Sequence, residues 1–229
     1  MNALSVAVIV PVLNEESALK QHIIQFKSLE KYADIIFCDA GSDDNTCALL
    51  KNHGMHYCHS LRGRALQMNA GADACKSDIF VFIHADTVIS SSDIELVKIV
   101  MQDKSVVGGR FDVRLSGKGF SFRMIEFMIN LRSRITRVST GDQCQFVRRS
   151  VFEKMGGFPD QALMEDVEFS KRLKKYGKVA CLKNKVVTSS RRWEKHGIVK
   201  TTLLMWKLRF LYWLGASPEK LAEMYKNAR

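Results

Sequence analysis

The chain has 229 residues, 46% hydrophobic and 26% charged, a balance that excludes a disordered or collagen-like chain and allows a sizeable core. Its 35 Lys and Arg outnumber 24 Asp and Glu, for a net charge of +11. That surplus attracts polyanions, anionic membrane surfaces or phosphorylated small molecules without choosing among them.

The first predicted element is a strand over residues 5–13, near-continuously apolar as a central parallel strand is. It lacks a positive leader and runs into Pro11, Asn14 and Glu15, so it reads as a strand and not as a signal peptide. Asn14-Glu15-Glu16-Ser17 opens a helix whose Leu19, Ile23, Phe26 and Leu29 follow helical spacing. A second strand, 33–38, ends in Asp39-Ala40-Gly41-Ser42-Asp43-Asp44, where Gly41 permits a tight turn and Ser42 to Asp44 offer caps for a helix through Leu50. A short third strand, 55–59, leads to a helix opened by the basic turn Arg62-Gly63-Arg64.

The fourth strand, 77–83, runs out into His84-Ala85-Asp86-Thr87. Residues i and i+2 of an extended segment share a face, so His84 and Asp86 are expected to point the same way. At the carboxyl end of a strand, where open α/β sheets bind ligands, an imidazole beside a carboxylate suits a divalent metal holding a phosphorylated ligand. A strand-end Asp capping the next turn, with His84 satisfied nearby, is the plainer alternative. Four strand–helix alternations in roughly ninety residues predict a parallel, Rossmann-like sheet. Polar groups at three strand ends (Asn14 with Glu15, Asp39, His84 with Asp86) outline one cleft.

Beyond it, a helix is predicted over 92–102 and a strand over 106–113. An amphipathic helix over 120–136 carries Arg123, Arg132 and Arg134, with its Phe and Met positions expected in the core. Ser139 to Arg149 runs from a loop into a strand. After Gly156-Gly157-Phe158-Pro159, Glu165 and Asp166 fall at a helix N-terminus, where acidic residues are ordinary. A strand over 179–187 precedes Ser189-Ser190-Arg191-Arg192-Trp193 and His196. An apolar, amphipathic helix over 198–214, interrupted by Lys200, Lys207 and Arg209, suits a membrane interface, packing against the rest of the chain, or a homodimer. Ser217-Pro218 starts a last helix.

Six cysteines include no C-x-x-C pair and read as free thiols, several of them buried, in a reducing compartment. No apolar run is long enough to span a bilayer. The expected location is the cytoplasm, with peripheral attachment at the inner membrane face as an option.

Pro-Val-x-Asn-Glu, then Asp-Ala-Gly-Ser-x-Asp-x-Thr, then Gly-Arg-Ala-x-Gln-Met-Asn-x-Gly, then His84-Ala85-Asp86, resembles the family 2 glycosyltransferases of the GT-A fold, over about residues 5–195. The order and spacing of the motifs carry the resemblance more than any one of them. It implies an α/β, Rossmann-like GT-A fold with a mostly parallel central sheet flanked by helices, plus C-terminal helices. Residues 1–195 would be the glycosyltransferase domain, with a nucleotide-binding half to about 90 and an acceptor-binding half beyond, and 196–229 a helical extension. The implied activity is transfer of a sugar, in the hexosyltransferase class, from a nucleoside-diphosphate sugar (UDP or GDP ahead of the others) to a hydroxyl acceptor. A divalent cation, Mn2+ or Mg2+, takes part, and the anomeric centre is inverted.

By the same resemblance, Pro11, Asn14 and Glu15 line the nucleoside pocket. Asp39 hydrogen-bonds the base within a loop shaped by Gly41, Ser42 and Asp44, and Arg64 and Asn69 lie near the base, ribose or diphosphate. Asp86 is the metal ligand. His84 departs from the family's Asp-x-Asp motif at its first position, where it would bind metal or ribose. Gly141, Asp142 and Gln143 meet the acceptor or the transferred sugar, or form a structural turn. An inverting displacement needs a base opposite the leaving diphosphate; Asp166 takes that role, with Glu165 orienting it or the acceptor. Arg192 suits the diphosphate, Trp193 the acceptor, and His196 the metal. Ser189 replaces the Gln of the processive members' Gln-x-x-Arg-Trp motif, which weighs against a polymerase.

A nucleotidyltransferase is disfavoured because Asn14-Glu15-Glu16 stands where a Gly-rich basic loop would follow the first strand. A nucleic-acid binder is disfavoured because no recognised binding signature is present. A catalytically inactive scaffold, given His84, is a further alternative.

Overall fold

The computed structural model describes residues 4–227. The first half alternates β1 (Val6–Val12), α1 (Glu16–Leu29), β2 (Asp34–Asp39), α2 (Thr46–Asn52), β3 (His56–His59), α3 (Arg64–Asp73) and β4 (Ile79–Phe82). The second contains β5 (Thr87–Val88), α4 (Ser91–Val100), β6 (Val106–Leu115), α5 (Phe120–Thr136), a 3-10 turn (Gly141–Gln143), β7 (Gln145–Arg148), α6 (Arg149–Met155), α7 (Glu165–Leu173) and β8 (Lys178–Thr188). Helices α8 (Arg191–His196), α9 (Ile198–Trp213) and α10 (Pro218–Asn227) follow.

The strands form one sheet in the order β3-β2-β1-β4-β7-β6-β8-β5. β3, β2, β1 and β4 are parallel, and so are β6 and β8; β7 runs antiparallel between β4 and β6, and β5 antiparallel to β8. The expected parallel half is present, and the mixed half comes from β7, which turns back along β4. Three elements escaped the sequence: β5, too short to show a period, α6, and α8, a single polar turn and a half with no buried residue.

Period-2 alternation along β1 divides the core. Val6, Val8, Val10 and Val12 face Leu19, Ile23 and Phe26 of α1, with Ile94 and Val97 of α4 in the same layer. Ala7 and Ile9 face Ala65, Met68 and Ala72 of α3 with Phe152, Phe158 and Phe169. This is the two-sided burial that keeps a parallel strand apolar throughout. Gly71 lets α3 approach closely: a Cβ there would lie 2.5 Å from both Cys38 Sγ and Ile9 Cγ2. Five aromatic rings, Phe80, Phe82, Phe152, Phe158 and Phe169, pack together, Phe158 stacked on Phe169 at 4.1 Å. They fix the turn before α7, and so the position of Glu165 and Asp166.

Helix α5 matches expectation only in part. Phe122 and Ile125 are buried, but so are Glu126, Asn130 and Ser133, whereas Phe120, Met124, Phe127, Met128, Leu131 and Ile135 are exposed. The cause lies in β6, which meets β7 only at Gly108 and Gly109. Its later backbone groups on that side need other partners, since buried amides are rarely left unpaired. Asn130 accepts from Val113 N (2.8 Å) and donates to Val113 O (3.0 Å), and Glu126 accepts from Leu115 N (2.6 Å). Polar residues therefore face inward. Helix α9 does not divide into an apolar and a polar face: only Thr201 and Leu208 are fully buried, and Leu203, Trp206, Phe210 and Trp213 are exposed. Leu208 packs with Leu221 against Met164 and Val167, beside the start of α7. Among the described residues no helix is long and apolar enough to cross a membrane. All six cysteines are free.

Candidate active site

The β1–α1 and β2–α2 loops are laced to each other. Asn14, in a left-handed conformation (φ 56°), donates its N–H to Ser42 Oγ (2.9 Å) and accepts from Asp43 N at Oδ1 (2.8 Å). Glu15 N donates to Thr46 Oγ1 (2.9 Å), and Asp44 accepts from Thr46 N and Glu16 N (2.9 and 3.1 Å). Asp39, buried at the end of β2, accepts from Gly41 N (2.9 Å) and from Ser42 Oγ (2.5 Å). Burial pushes its carboxyl pKa up, but these donors outweigh it and hold the group below its ordinary value. Pro11 pairs with Cys38, and Gln67 Nε2 bridges Val12 O and Cys38 O (2.8 and 2.9 Å), fixing both strand ends. The β1–α1 and β2–α2 loops are thus tied together by their own side chains and backbone.

β4 ends at Phe82, two residues before His84, and Thr87 N donates to His84 O (3.0 Å) to turn the chain. His84 lines one small cavity with Arg64, Phe82, Gly141, Gln145 and Asp166. Burial, then the Arg64 cation, drives its pKa down to about 3, so the imidazole is neutral. Gly141 is required beside it, because a Cβ there would stand 2.7 Å from His84 Nε2. Asp86 has its pKa raised by burial and by the negative charge of Asp142, with Arg191 opposing. Glu15 is raised by burial and by Asp86, with Arg191 and Arg64 opposing.

On the other wall, Asp166 Oδ2 accepts from Gly141 N (2.7 Å) and Oδ1 from Val167 N (2.6 Å). Burial still raises its pKa, and Asp142 adds to this. The buried Glu165 lies 3.5 Å from Arg64 Nη1. Burial and then the neighbouring Asp166 push its carboxyl up to about 7. Glu15, Asp86, Asp142 and Asp166 thus form a chain of carboxylates in electrostatic reach, contributed by four separate segments.

Several of the expected site residues have partners elsewhere in the fold. Asn69 is turned to the Gly157-Phe158 turn, donating to Phe158 O (3.0 Å) and accepting from Phe158 N (2.9 Å), so both its polar ends are occupied away from a nucleotide. Gln143 is fully buried, donating to Ser133 Oγ (2.9 Å), and faces the α5–β6 seam instead of an acceptor. Trp193 packs beside Phe122 and Ile125 of α5. Among the described residues no group of three His, Cys, Asp or Glu side chains stands together that could hold a metal ion. Arg192 lies over the Tyr225 ring at 5.0 Å and is felt by His84. Arg191, Arg132 and Arg209 were not assigned to the site from sequence. The one available signal was Arg209, a cation inside an otherwise apolar helix, where burial without a partner is rare.

The sequence matches the family described as glycosyl transferase family 2 over residues 7–156. No curated protein matches it. Among solved structures, it is similar to a mannosyltransferase from Pyrobaculum calidifontis in complex with GDP-Man and Mn2+ (TM-score 0.66, 17% identity, covering 100% of this chain and 70% of that one). It is similar to S. aureus TarS 1-349 (TM-score 0.65, 15% identity, 88% of this chain and 66% of that one). It is also similar to glucosyl-3-phosphoglycerate synthase from Mycobacterium tuberculosis in complex with Mn2+, UDP-glucose and phosphoglyceric acid (TM-score 0.59, 18% identity, 80% and 70%). At these identities the likeness is one of fold.

Proposed function

This chain belongs to glycosyl transferase family 2, and we propose that it transfers a sugar from a nucleoside-diphosphate sugar to a hydroxyl acceptor, with inversion and with a divalent cation. The observation that carries this reading is the row of carboxylates Glu15, Asp86, Asp142 and Asp166 around one cleft. Its donor end adjoins loops already shaped for a nucleotide, and its other end holds a carboxylate with a raised pKa. Solved structures of the same fold hold UDP-glucose or GDP-Man with Mn2+, which supports UDP and GDP as the first nucleotides to test.

In this reading Asp39 and its Ser42 and Gly41 donors hold the base-facing loop, while Asn14 and Asp44 keep it on the β1–α1 loop. Mn2+ or Mg2+ suits the donor end: such ions take one or two protein carboxylates and complete their shell with phosphate oxygens and water. Burial raises the Glu15 and Asp86 pKa values first, and the charge of Asp86 on Glu15 and of Asp142 on Asp86 adds to it; a cation would relieve that repulsion. Asp86 would hold it, and the ion would neutralise charge on the departing diphosphate. Arg191, felt by both carboxylates, supplies fixed positive charge there. Asp166 is the base: it takes the acceptor hydroxyl proton as that oxygen bonds to the anomeric carbon and the bond to the diphosphate breaks. Its backbone donor, Gly141 N, fixes one oxygen. Glu165, titrating near neutrality, sets the charge beside it.

Thermal stabilisation by UDP, GDP, CDP and dTDP, with and without Mn2+, tests this reading. A ligand at a hundred times its Kd adds about 2.7 kcal/mol of stability. One nucleotide should stabilise the wild type in a Mn2+-dependent way, and Asp86→Ala should weaken that binding by about tenfold or more, roughly 1.4 kcal/mol. Unchanged affinity in the variant would remove Asp86 as the ligand; no shift with any nucleotide would sink the proposal.

A further inference from the structure

Two arginines beside the acceptor end have no partner. Arg132 projects from α5 and Arg209 from α9. Nε and Nη2 of Arg132, and Nε of Arg209, are shielded from solvent and bond to nothing. Neither guanidinium appears in any ion pair among the described residues, whereas the other cations of α5, Arg123 and Arg134, pair with Glu126 (2.8 Å) and Asp112 (2.7 Å).

The two cations lie within each other's field and within that of Asp142 and Asp166. Two like charges held together and partly desolvated are costly, and Asp142 and Asp166 offset this only in part, since burial still holds both arginine pKa values below their ordinary value. At the donor end the cation felt by both Glu15 and Asp86 is Arg191 and not this pair, while Arg64 is felt by Glu15 and by Glu165 and Asp166 alike.

We propose that Arg132 and Arg209 form an oxyanion subsite, so that the acceptor carries a phosphate or carboxylate near the hydroxyl that is glycosylated. This rests on the transferase reading above. Guanidinium forks match the two or three oxygens of such groups with paired N–H donors. The anion would neutralise the pair and bring the hydroxyl toward Asp166. The same chemistry comes from two sources. One is a soluble phosphorylated or carboxylated alcohol. The other is a phosphate borne by a lipid, for which the exposed Phe127 and Leu131 on α5 and Trp206 and Phe210 on α9 supply apolar surface on the same two helices.

The test uses the full chain with its nucleotide site saturated. Binding of inorganic phosphate and of glycerol phosphate is titrated in the wild type, Arg132→Met, Arg209→Met and Arg209→Lys. Each Met variant should bind phosphate at least about tenfold more weakly, and Arg209→Lys should fall between because it keeps charge and loses the fork. Nucleotide affinity should be unchanged. The Met variants should also melt higher than the wild type, by about 2 °C or more, because an unpaired buried cation has been removed; arginines with a structural role would give lower melting.

Unaltered phosphate binding in both Met variants, or no phosphate binding in the wild type, overturns the subsite. Nucleotide affinity lost in parallel with phosphate also overturns it, since the arginines would then belong to the donor. A wild type that binds phosphate through this pair but no nucleotide would overturn the transferase reading and leave an anion site alone. Co-sedimentation with phosphatidylcholine vesicles, with and without phosphatidic acid, separates the sources: retention that needs both phosphatidic acid and the arginines identifies a lipid phosphate. Binding of glycerol phosphate without such retention identifies a soluble acceptor.

Discussion

The two walls of the cleft are finished to different degrees. On the proposed nucleotide side, Asn14, Asp39, Ser42 and Asp44 are engaged with one another and with backbone N–H groups, which hold that wall in shape. On the proposed acceptor side, Glu165 and Asp166 have raised pKa values, Arg132 and Arg209 lack hydrogen-bond and ion-pair partners among the described residues, and apolar residues of α5 and α9 face outward. Pre-organised hydrogen bonds lower the ordering cost of binding. Unpaired buried groups lower stability and remain available for chemistry. The contrast fits a donor wall shaped for a common ligand and an acceptor wall completed only by its substrate.

The largest expected effect is at Asp166. Asp166→Asn keeps the shape but only one of the two backbone contacts, from Gly141 N or from Val167 N, and removes the proposed base; a base of this kind contributes about 10²–10⁴-fold to proton-transfer catalysis. The rate of transfer should fall within that range while Mn2+-dependent nucleotide affinity stays within about twofold. A variant with near-normal turnover would remove Asp166 from the chemistry. A variant that lost nucleotide binding would break the separation of the two walls.

A second test uses pH. Glu165 has an ordinary pKa of 4.5, raised to about 7 in the fold by burial and by Asp166. The folded state therefore holds this proton more tightly than the unfolded chain. The stability it contributes is complete below pH 4.5 and is lost as pH rises through 7, to an upper limit of about 3 kcal/mol. Glu165→Gln cannot titrate, so denaturant unfolding should show a flatter decline across that window than in the wild type. Identical slopes would place the Glu165 titration at ordinary acidity. The Asp166→Asn variant should move the same window toward acid, because it removes the like charge beside Glu165.

What could be read from sequence follows the same division. The first four strands and their helices were legible because β1 and β2 bury both faces and α1 repeats Leu19, Ile23, Phe26 and Leu29 on one side. The second half was less legible because its partners are distant in sequence. The inward polar residues of α5 answer to unpaired backbone on β6, which a hydrophobic pattern alone does not reveal. Gln143 and Trp193 pack against the same helix, Gln143 through Ser133 and Trp193 beside Phe122 and Ile125. Gly141 lies against both His84 and Asp166, and these three residues come from three separate segments. Arg132 and Arg209 lie on separate helices and could not be paired from spacing.

Asn69 gives the smallest and most discriminating test. It stands on α3, within the nucleotide half, yet both ends of its carboxamide hold Phe158, the turn that leads to α7. Asn69→Ala removes two hydrogen bonds to a buried backbone position and should cost about 2 kcal/mol of unfolding free energy. If the walls are independent, nucleotide affinity stays at the wild-type value, whereas turnover falls because Asp166 is no longer held against Gly141. The physical reason is that the Phe158–Phe169 stack carries the displacement directly into α7, while the Asp39 and Asn14 loops share no hydrogen bond with that turn. A loss of nucleotide affinity equal to the loss of turnover would show that α3 couples the two walls, and the division between a finished donor side and an open acceptor side would fail at that helix.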